Sequence, residues 1–168
     1  MNDFSGELID SSLFLGMHSV DEEVRISCKN YFVERLPTKV SMSLEHIGGC
    51  DNIIWMYPTE LQDLYYPFMD NLHTIMKMDR VPYQEPDIAM ALSDPRLRDI
   101  LMYDRLLMAL AKNHNQLVFT INKQLLSQGH LPVACPPLNS EKKFPDSLEV
   151  LYQTSLALKI SDNLLTSR

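Results

Sequence analysis

Cysteine is scarce in this sequence, as are the long apolar runs of membrane proteins. The three cysteines among the 168 residues, Cys28, Cys50 and Cys135, form no Cys-x-x-Cys pair. An odd count at irregular spacing is not typical of the disulfide framework of a secreted domain. No apolar run approaches membrane-spanning length, and the amino terminus lacks the basic and apolar regions of a signal peptide. We therefore expect a cytoplasmic protein with no membrane partner.

Positively charged residues are also fewer than negatively charged ones. The chain carries 15 lysines and arginines against 22 aspartates and glutamates, which gives a formal net charge of -7. Proteins that hold long nucleic acids through the phosphates usually present a basic face or a high pI. A broad basic groove for long nucleic acid is therefore not expected.

Motifs for phosphate loops, zinc sites and nucleophilic triads are missing too. Gly48 and Gly49 stand alone, so no glycine-rich phosphate loop is predicted. His46 and Cys50 have a spacing that can bind zinc, but no second ligand pair accompanies them. The other histidines are scattered, and no Ser-His-Asp or Cys-His arrangement follows from their positions.

The sequence does have the composition of a globular domain, with 45% hydrophobic and 22% charged residues. Its length allows one sizeable core, since single domains commonly run to roughly 100 to 150 residues. We expect a domain over residues 1–138. A linker and helix over 139–168 would pack on that domain or on the partner of a homodimer.

Short apolar runs alternate with amphipathic patterns along the chain. An apolar run ending at Ile9 predicts a strand that leads into a turn or short helix. Ser19 and Glu22 have the spacing of a capping box before a helix at 21–35. Further strands are predicted at 39–44, 116–120 and 131–134. Further helices are predicted at 59–66, 68–78, 85–92, 100–111, 123–127 and 146–160.

Two of these helices are separated by Pro67, and residues 81–83 are interpreted as a connector. The alternation of short strands with helices is typical of a parallel sheet covered on both faces. The predicted fold class is α/β. It has three layers, α/β/α, with a central, mostly parallel sheet and an extra C-terminal helix.

Four polar residues stand beside or within the apolar runs. Asp10, Glu45 and Asn122 each follow a predicted strand, which places them at the carboxyl edge of the sheet, where ligands gather. Asp104 lies on an apolar helix stripe, where a carboxylate must be paired, protonated or bound to a metal. Oxygen donors gathered in this way suit a hard divalent cation. Three of them also have a structural use, since Asp10 and Glu45 could cap helices and Arg105 could pair with Asp104.

Taken in order, these residues resemble the PIN domain family of metal-dependent nucleases. The family's apolar run ending in Asp and a small hydroxyl residue appears as Leu8-Ile9-Asp10-Ser11-Ser12. Its second acid, at the start of the helix after strand two, matches Glu45. Its third motif is a helical Asp followed by two alanines, a strand and Thr-x-Asp, and it appears as Asp104, Ala109, Ala111 and Thr120-Ile121-Asn122.

The resemblance implies a three-layer fold with an acidic pocket that holds Mg2+ or Mn2+. On that model Asp10 and Asp104 are inner ligands, Glu45 orients a ligand water or a second ion, and Thr120 and Ser12 support the carboxylates. The metal of such nucleases activates a water for attack on a phosphodiester. The implied activity is an endoribonuclease that acts on a short or structured RNA, as in the toxin ribonucleases of toxin–antitoxin pairs.

Asn122 departs from the family's pattern, in which an aspartate stands at this position. Its amide oxygen can still be the fourth metal ligand, but it removes one negative charge and lowers the attraction for the ion. With the acidic balance and the aromatic segment 55–68, this favours a second interpretation. In it, a catalytically weakened PIN-like protein works as a binding or accessory subunit with a protein partner, for example in a metabolic pathway. A metal-dependent phosphohydrolase of a small substrate is a third.

Overall fold

A sheet of five parallel strands lies at the centre of the computed structural model, which describes residues 4–166. The strand order is β3-β2-β1-β4-β5, and every neighbouring pair is parallel. The strands are β1 (Gly6–Ile9), β2 (Ser41–Ser43), β3 (Asp79–Val81), β4 (Gln116–Phe119) and β5 (Val133–Ala134).

Helices cover both faces of this sheet, so the predicted three-layer α/β/α fold is confirmed. A short 3-10 turn at Pro95–Leu97 joins α5 to α6. The helices are α1 (Ser11–Gly16), α2 (Glu22–Arg35), α3 (Leu44–Ile54), α4 (Thr59–Met76), α5 (Glu85–Ser93), α6 (Met102–Asn113), α7 (Lys123–Leu126), α8 (Asp146–Ser155) and α9 (Asp162–Thr166).

Adjacent residues of β1 pack in two separate hydrophobic cores. Successive side chains of a strand point to opposite faces of a sheet. Ile9 accordingly packs in the core formed with α1 to α4 and α8, while Leu8 packs in the core formed with α5, α6 and α7. Both side chains are fully buried. The unbroken apolar character of this short strand is therefore explained by burial on both sides.

The strand order reverses at β1. The chain runs outward from β1 through β2 to β3, then crosses back so that β4 lies on the other side of β1, with Leu8 opposite Val118. The loops after β1 and β4 therefore leave the same edge of the sheet side by side. A reversal of this kind is where open parallel sheets bind their ligands.

The third strand was not predicted from the sequence, which indicated only a connector at 81–83. Asp79–Val81 forms the edge strand beside β2, with Ser41 opposite Asp79. Two of its three residues are charged, because one side of an edge strand stays in water. The apolar run that identifies a buried strand is therefore missing.

The predicted helix break at Pro67 is wrong, since α4 runs through it from Thr59 to Met76. Proline inside a helix removes one backbone hydrogen bond and costs roughly 3 kcal/mol. The ring of Pro67 is exposed, while Tyr65, Phe68 and Leu72 continue one buried stripe across it. Burial of each such side chain contributes about 1.5–3 kcal/mol, which offsets the lost bond.

The predicted capping box before α2 is also wrong. Asp21 is the N-cap, and its carboxylate accepts hydrogen bonds from the amides of Glu23 and Val24 at 2.9 and 3.3 Å. The hydroxyl of Ser19 instead accepts from the amide of Asp21 at 3.0 Å. The cap thus lies two residues later than the Ser-x-x-Glu spacing indicated.

The predicted helix at 146–160 ends early, at Ser155. The chain then turns so that the amide of Ile160 donates to the carbonyl of His18 at 2.8 Å, in a parallel bridge beside Ser19. Leu148 and Tyr152 of α8 are buried in the same core as Ile9. No helix within residues 4–166 is long and apolar enough to cross a membrane.

Candidate functional site

Asp10 lies in the interior at the carboxyl end of β1, where it caps α1. One carboxylate oxygen accepts from the amide of Leu13 at 2.9 Å and from the hydroxyl of Ser12 at 2.7 Å. The other accepts from the hydroxyl of Thr120 at 2.5 Å. Burial raises the pKa of Asp10, while the hydrogen bonds from Thr120 and Ser12 oppose that rise.

The loops after β1 and β4 are joined by further hydrogen bonds around the same carboxylate. The hydroxyls of Ser12 and Thr120 are 3.2 Å apart, and the amide of Ile121 donates to Ser12 at 3.2 Å. The amide of Asn122 donates to Thr120 at 3.0 Å. Ser12 and Thr120 therefore hold the two loops and Asp10 in one network at the point of strand reversal.

The side chain of Asn122 has a structural role at the start of α7. Its oxygen accepts from the amide of Gln124 at 3.0 Å and so caps α7. The residue also lines a cavity of about 350 Å³ whose other walls include Asp21 and Lys123. An amide in this position satisfies the helix start as an aspartate would.

Glu45 is the second residue of α3, and its side chain is exposed. The helix is capped by Ser43, whose hydroxyl accepts from the amide of His46 at 3.1 Å. Tyr83, from the segment after β3, donates to the same hydroxyl at 3.1 Å. The carboxylate of Glu45 therefore lies in the first turn without serving as the cap, where its charge suits the helix dipole.

Asp104 lies in the first turn of α6 and is nearly buried, with a side chain that is 12% exposed. One of its oxygens is 3.9 Å from Nε2 of His46. The guanidinium of Arg105 donates to the carbonyl oxygens of Ile100 and Arg98. Asp104 thus faces the start of α3, on the same side of the sheet edge as Glu45.

His46 is a central residue of this site that the sequence pattern did not identify. It is fully buried, and its Nδ1 accepts from the amide of Ser11 at 3.0 Å. An accepting Nδ1 puts the proton of a neutral imidazole on Nε2, the nitrogen that faces Asp104. The ring is stacked on Tyr103 with 4.1 Å between centroids.

Tyr103 connects three parts of the site. Its hydroxyl is 3.3 Å from the hydroxyl of Ser11 and 3.4 Å from the carbonyl oxygen of Glu45. Apart from the spacing of His46 and Cys50, the sequence signal for these two residues was position, because Tyr103 precedes Asp104 and His46 follows Glu45. The fold brings Asp10, Glu45 and Asp104 to one edge of the sheet through the residues between them.

The oxygen donors at this edge are of the type that Mg2+ and Mn2+ prefer. Within residues 4–166, however, no three His, Cys, Asp or Glu side chains are grouped so as to hold a metal ion. Asp10 and Asn122 use side-chain oxygens to cap helices. Glu45 and Asp104 are the two predicted ligands whose carboxylates have no such cap role.

Comparison with protein families matches one family model to residues 1–165. The chain belongs to DUF6190, a family of unknown function. A search of curated proteins found no match. Membership of DUF6190 assigns no activity, so the function of this chain is inferred from the geometry of its site.

Proposed function

We propose that the chain is a PIN-like endoribonuclease that uses Mg2+ or Mn2+ at the carboxyl edge of the sheet. The observation that carries the proposal is the hydrogen bond from Thr120 to the carboxylate of Asp10, across the point where the strand order reverses. Asp104 and Glu45 lie at the same edge. The three-layer parallel fold agrees with the one that the family resemblance implies.

The donor set suits a magnesium site that is completed by the substrate. Magnesium is commonly held by one or two carboxylates, with waters and substrate phosphates as its other ligands. Asp104 and Glu45 would supply those carboxylates, and Asp10 would add negative charge. When bound, the ion activates a water and stabilises the charge that builds on the phosphoryl group. Because Asn122 brings no charge, we expect metal binding to be weak without RNA.

The remaining residues of the site orient these carboxylates. Ser12 and Thr120 fix Asp10 by direct hydrogen bonds. His46 directs Nε2 toward Asp104 and is itself held by the Ser11 amide and the ring of Tyr103. A preorganised arrangement lowers the cost of placing the reacting groups.

The charge of the chain limits the substrate. With a net charge of -7, it lacks the excess of cations that a long nucleic acid requires. Lys123 is exposed next to Asn122 at the edge of the site and could contact one phosphate. A short or structured RNA, recognised by a few local contacts, is therefore the substrate class that fits.

Cleavage of a panel of short structured RNAs, with and without Mn2+ or Mg2+, tests the proposal. We expect metal-dependent cleavage by the wild type and by the control Asp63→Asn, an exposed residue of α4. Asp10→Asn and Asp104→Asn should each lower the rate by at least about a hundredfold, since even supporting groups of metal sites contribute about 10- to 100-fold. Circular dichroism would check that each variant is folded.

Metal titration by calorimetry supplies an independent measurement. It is performed on the wild type alone and with an RNA whose scissile linkage cannot be hydrolysed. The metal should bind more tightly when the RNA is present. No binding at millimolar metal in either titration, or cleavage that survives both substitutions, contradicts the nuclease proposal.

A second candidate is a PIN-like protein that binds a partner without cleaving RNA. It is favoured by the engagement of Asp10, whose carboxylate already accepts three hydrogen bonds in the interior. Binding of RNA or of a protein partner, without metal-dependent cleavage, would support it. Loss of cleavage in both site variants with cleavage by the Asp63→Asn control would rule it out.

A further inference from the structure

A second cavity lies between α3 and α4, beside β2 and β3, and its lining includes none of the carboxylates of the proposed catalytic edge. Its volume is about 190 Å³, several times the roughly 30 Å³ that one water occupies in the liquid. It is smaller than the roughly 300–1,000 Å³ of pockets that hold drug-sized ligands. The size therefore suits a molecule of about a dozen heavy atoms or fewer.

The floor of this cavity is apolar. Phe14 of α1, Met42 of β2 and Met69 of α4 line it, and all three side chains are buried. The ring of Phe14 also contacts the imidazole of His73, with 5.3 Å between centroids. Methionine side chains adapt to ligands of varied shape. The floor therefore offers a surface for an apolar side chain.

The wall of the cavity carries charges of both signs. Asp70 and His73 are three residues apart on one face of α4, and Arg80 extends from the edge strand β3. In the part of the chain that the structure describes, Asp70 and Arg80 form no ion pair with any residue, and Nδ1 of His73 is buried without a hydrogen-bond partner. The carboxylate of Asp70 and the guanidinium of Arg80 are therefore both available to a ligand above the apolar floor.

The protonation state of His73 follows from its surroundings. Burial lowers the pKa of its imidazole and the charge of Arg80 lowers it further, while Asp70 and Asp51 act in the opposite direction. The ring is therefore neutral at neutral pH and keeps one nitrogen as a hydrogen-bond acceptor. Asp51, the other carboxylate in the wall, already accepts from the hydroxyl of Tyr66 at 3.0 Å.

We propose that this cavity binds a small zwitterion, a free amino acid with an apolar side chain. The guanidinium of Arg80 matches the carboxylate in a two-pronged hydrogen bond, as arginine does at carboxylate sites. Asp70 takes the ammonium group, beside the ring of His73. Phe14, Met42 and Met69 contact the side chain. The assignment is independent of nuclease activity, since none of these residues belongs to the proposed catalytic edge.

Calorimetric titration of the full chain with L-leucine, L-methionine and L-phenylalanine tests the proposal. Isocaproate, which lacks the ammonium group, and isoamylamine, which lacks the carboxylate, serve as probes of each charge. We expect saturable binding of at least one amino acid. Each single-charge probe should bind at least about tenfold more weakly, equal to about 1.4 kcal/mol.

Two variants and two controls separate this site from general effects. Arg80→Gln and Asp70→Asn should weaken amino acid binding by about tenfold or more. Arg98→Gln and Asp63→Asn, which change exposed residues outside the cavity, should bind as the wild type does. Thermal unfolding would check that all four variants fold. Absence of saturable binding by the wild type, equal binding by isocaproate, or unchanged binding by both cavity variants would overturn the proposal.

Discussion

At the scale of single residues, His18 shows how this protein holds a titratable group in an apolar core. Its ring is fully buried, 4.8 Å from the ring of Tyr65, and its Nε2 is 2.7 Å from the hydroxyl of Ser155. Burial lowers the pKa of His18 to about 3, and the positive charges of Lys159 and Arg25 contribute to the shift. The imidazole therefore remains neutral in the folded protein under conditions in which the unfolded chain is protonated.

We predict that the free energy of unfolding falls as the pH drops from 6.5 toward about 3. The unfolded chain takes up a proton in this window that the folded chain does not, and proton uptake by the unfolded state lowers stability. His18→Phe keeps an aromatic ring and removes the titration, so its stability should depend less on pH. Urea denaturation at a series of pH values measures this.

Two further variants serve as comparisons for the pH dependence of stability. Leu92→Phe, at an exposed position with no titrating group, should keep the pH dependence of the wild type. His73→Phe should remove a further share, because burial lowers the pKa of His73 as well. A pH slope in His18→Phe that equals the wild-type slope would show that the buried imidazole does not cause it.

At the scale of elements, α4 combines an unfavourable residue with a favourable face. Pro67 interrupts the backbone hydrogen bonds of the helix, yet the buried stripe of Tyr65, Phe68 and Leu72 holds the two halves together. The side-chain amide of Asn71 donates from Nδ2 to the carbonyl oxygen of Pro67 at 2.7 Å. Tertiary packing, rather than helix propensity, decides the length of this element.

We predict that Pro67→Ala stabilises the protein by about 1 kcal/mol or more. Alanine restores a backbone donor and removes the clash of the ring, and part of that gain is offset by the more flexible unfolded chain. Pro86→Ala should not stabilise, because Pro86 lies in the first turn of α5, where proline is tolerated. Urea denaturation of both variants compares them, and equal effects would contradict the explanation.

The sequence predicted those elements whose signal is local. The period of apolar residues indicated α2, α6 and β4 with boundaries close to those observed. It missed β3 because the charged pair Asp79 and Arg80 gives an edge strand no apolar run. Burial from the rest of the fold, which carries α4 through Pro67, was likewise not visible in the local pattern.

The candidate site was predicted only in part, for a similar reason. The polar residues at strand ends could be placed at one edge of the sheet, because parallel strands end together. The contacts of His46 with Ser11 and of Tyr103 with Ser11 join positions 35 and 92 residues apart. No spacing rule relates such positions, so the residues that position Asp104 emerged only from the fold.

At the scale of the whole molecule, the C-terminal segment is attached to α2 by buried ion pairs. Lys29 is fully buried and lies 2.7 Å from Glu141 and 2.6 Å from Glu149. Its ammonium also lies 4.7 Å from the ring centre of Tyr152. Asn30 adds hydrogen bonds to the backbone of the same segment. That the last helix also forms a homodimer interface stays a prediction.

We predict that Lys29→Ala lowers the free energy of unfolding by about 3 kcal/mol. Removing one partner of a buried pair leaves the other charge without compensation, which costs about 3–5 kcal/mol. Lys39→Ala, which breaks an exposed pair with Asp79, should cost less than about 1 kcal/mol. Urea denaturation measures both, and a Lys29→Ala effect as small as that of Lys39→Ala would contradict this role.

The position of β1 in the sheet also affects the order in which contacts form during synthesis of the chain. β1 is synthesised before its partner β4, and Asp10 meets Thr120 across 110 residues of chain. Contacts between such distant positions form late, because a long loop must close first. A nascent chain therefore carries Asp10 long before it carries Thr120, the residue that fixes the Asp10 carboxylate. Any activity at this edge appears only when the domain is complete.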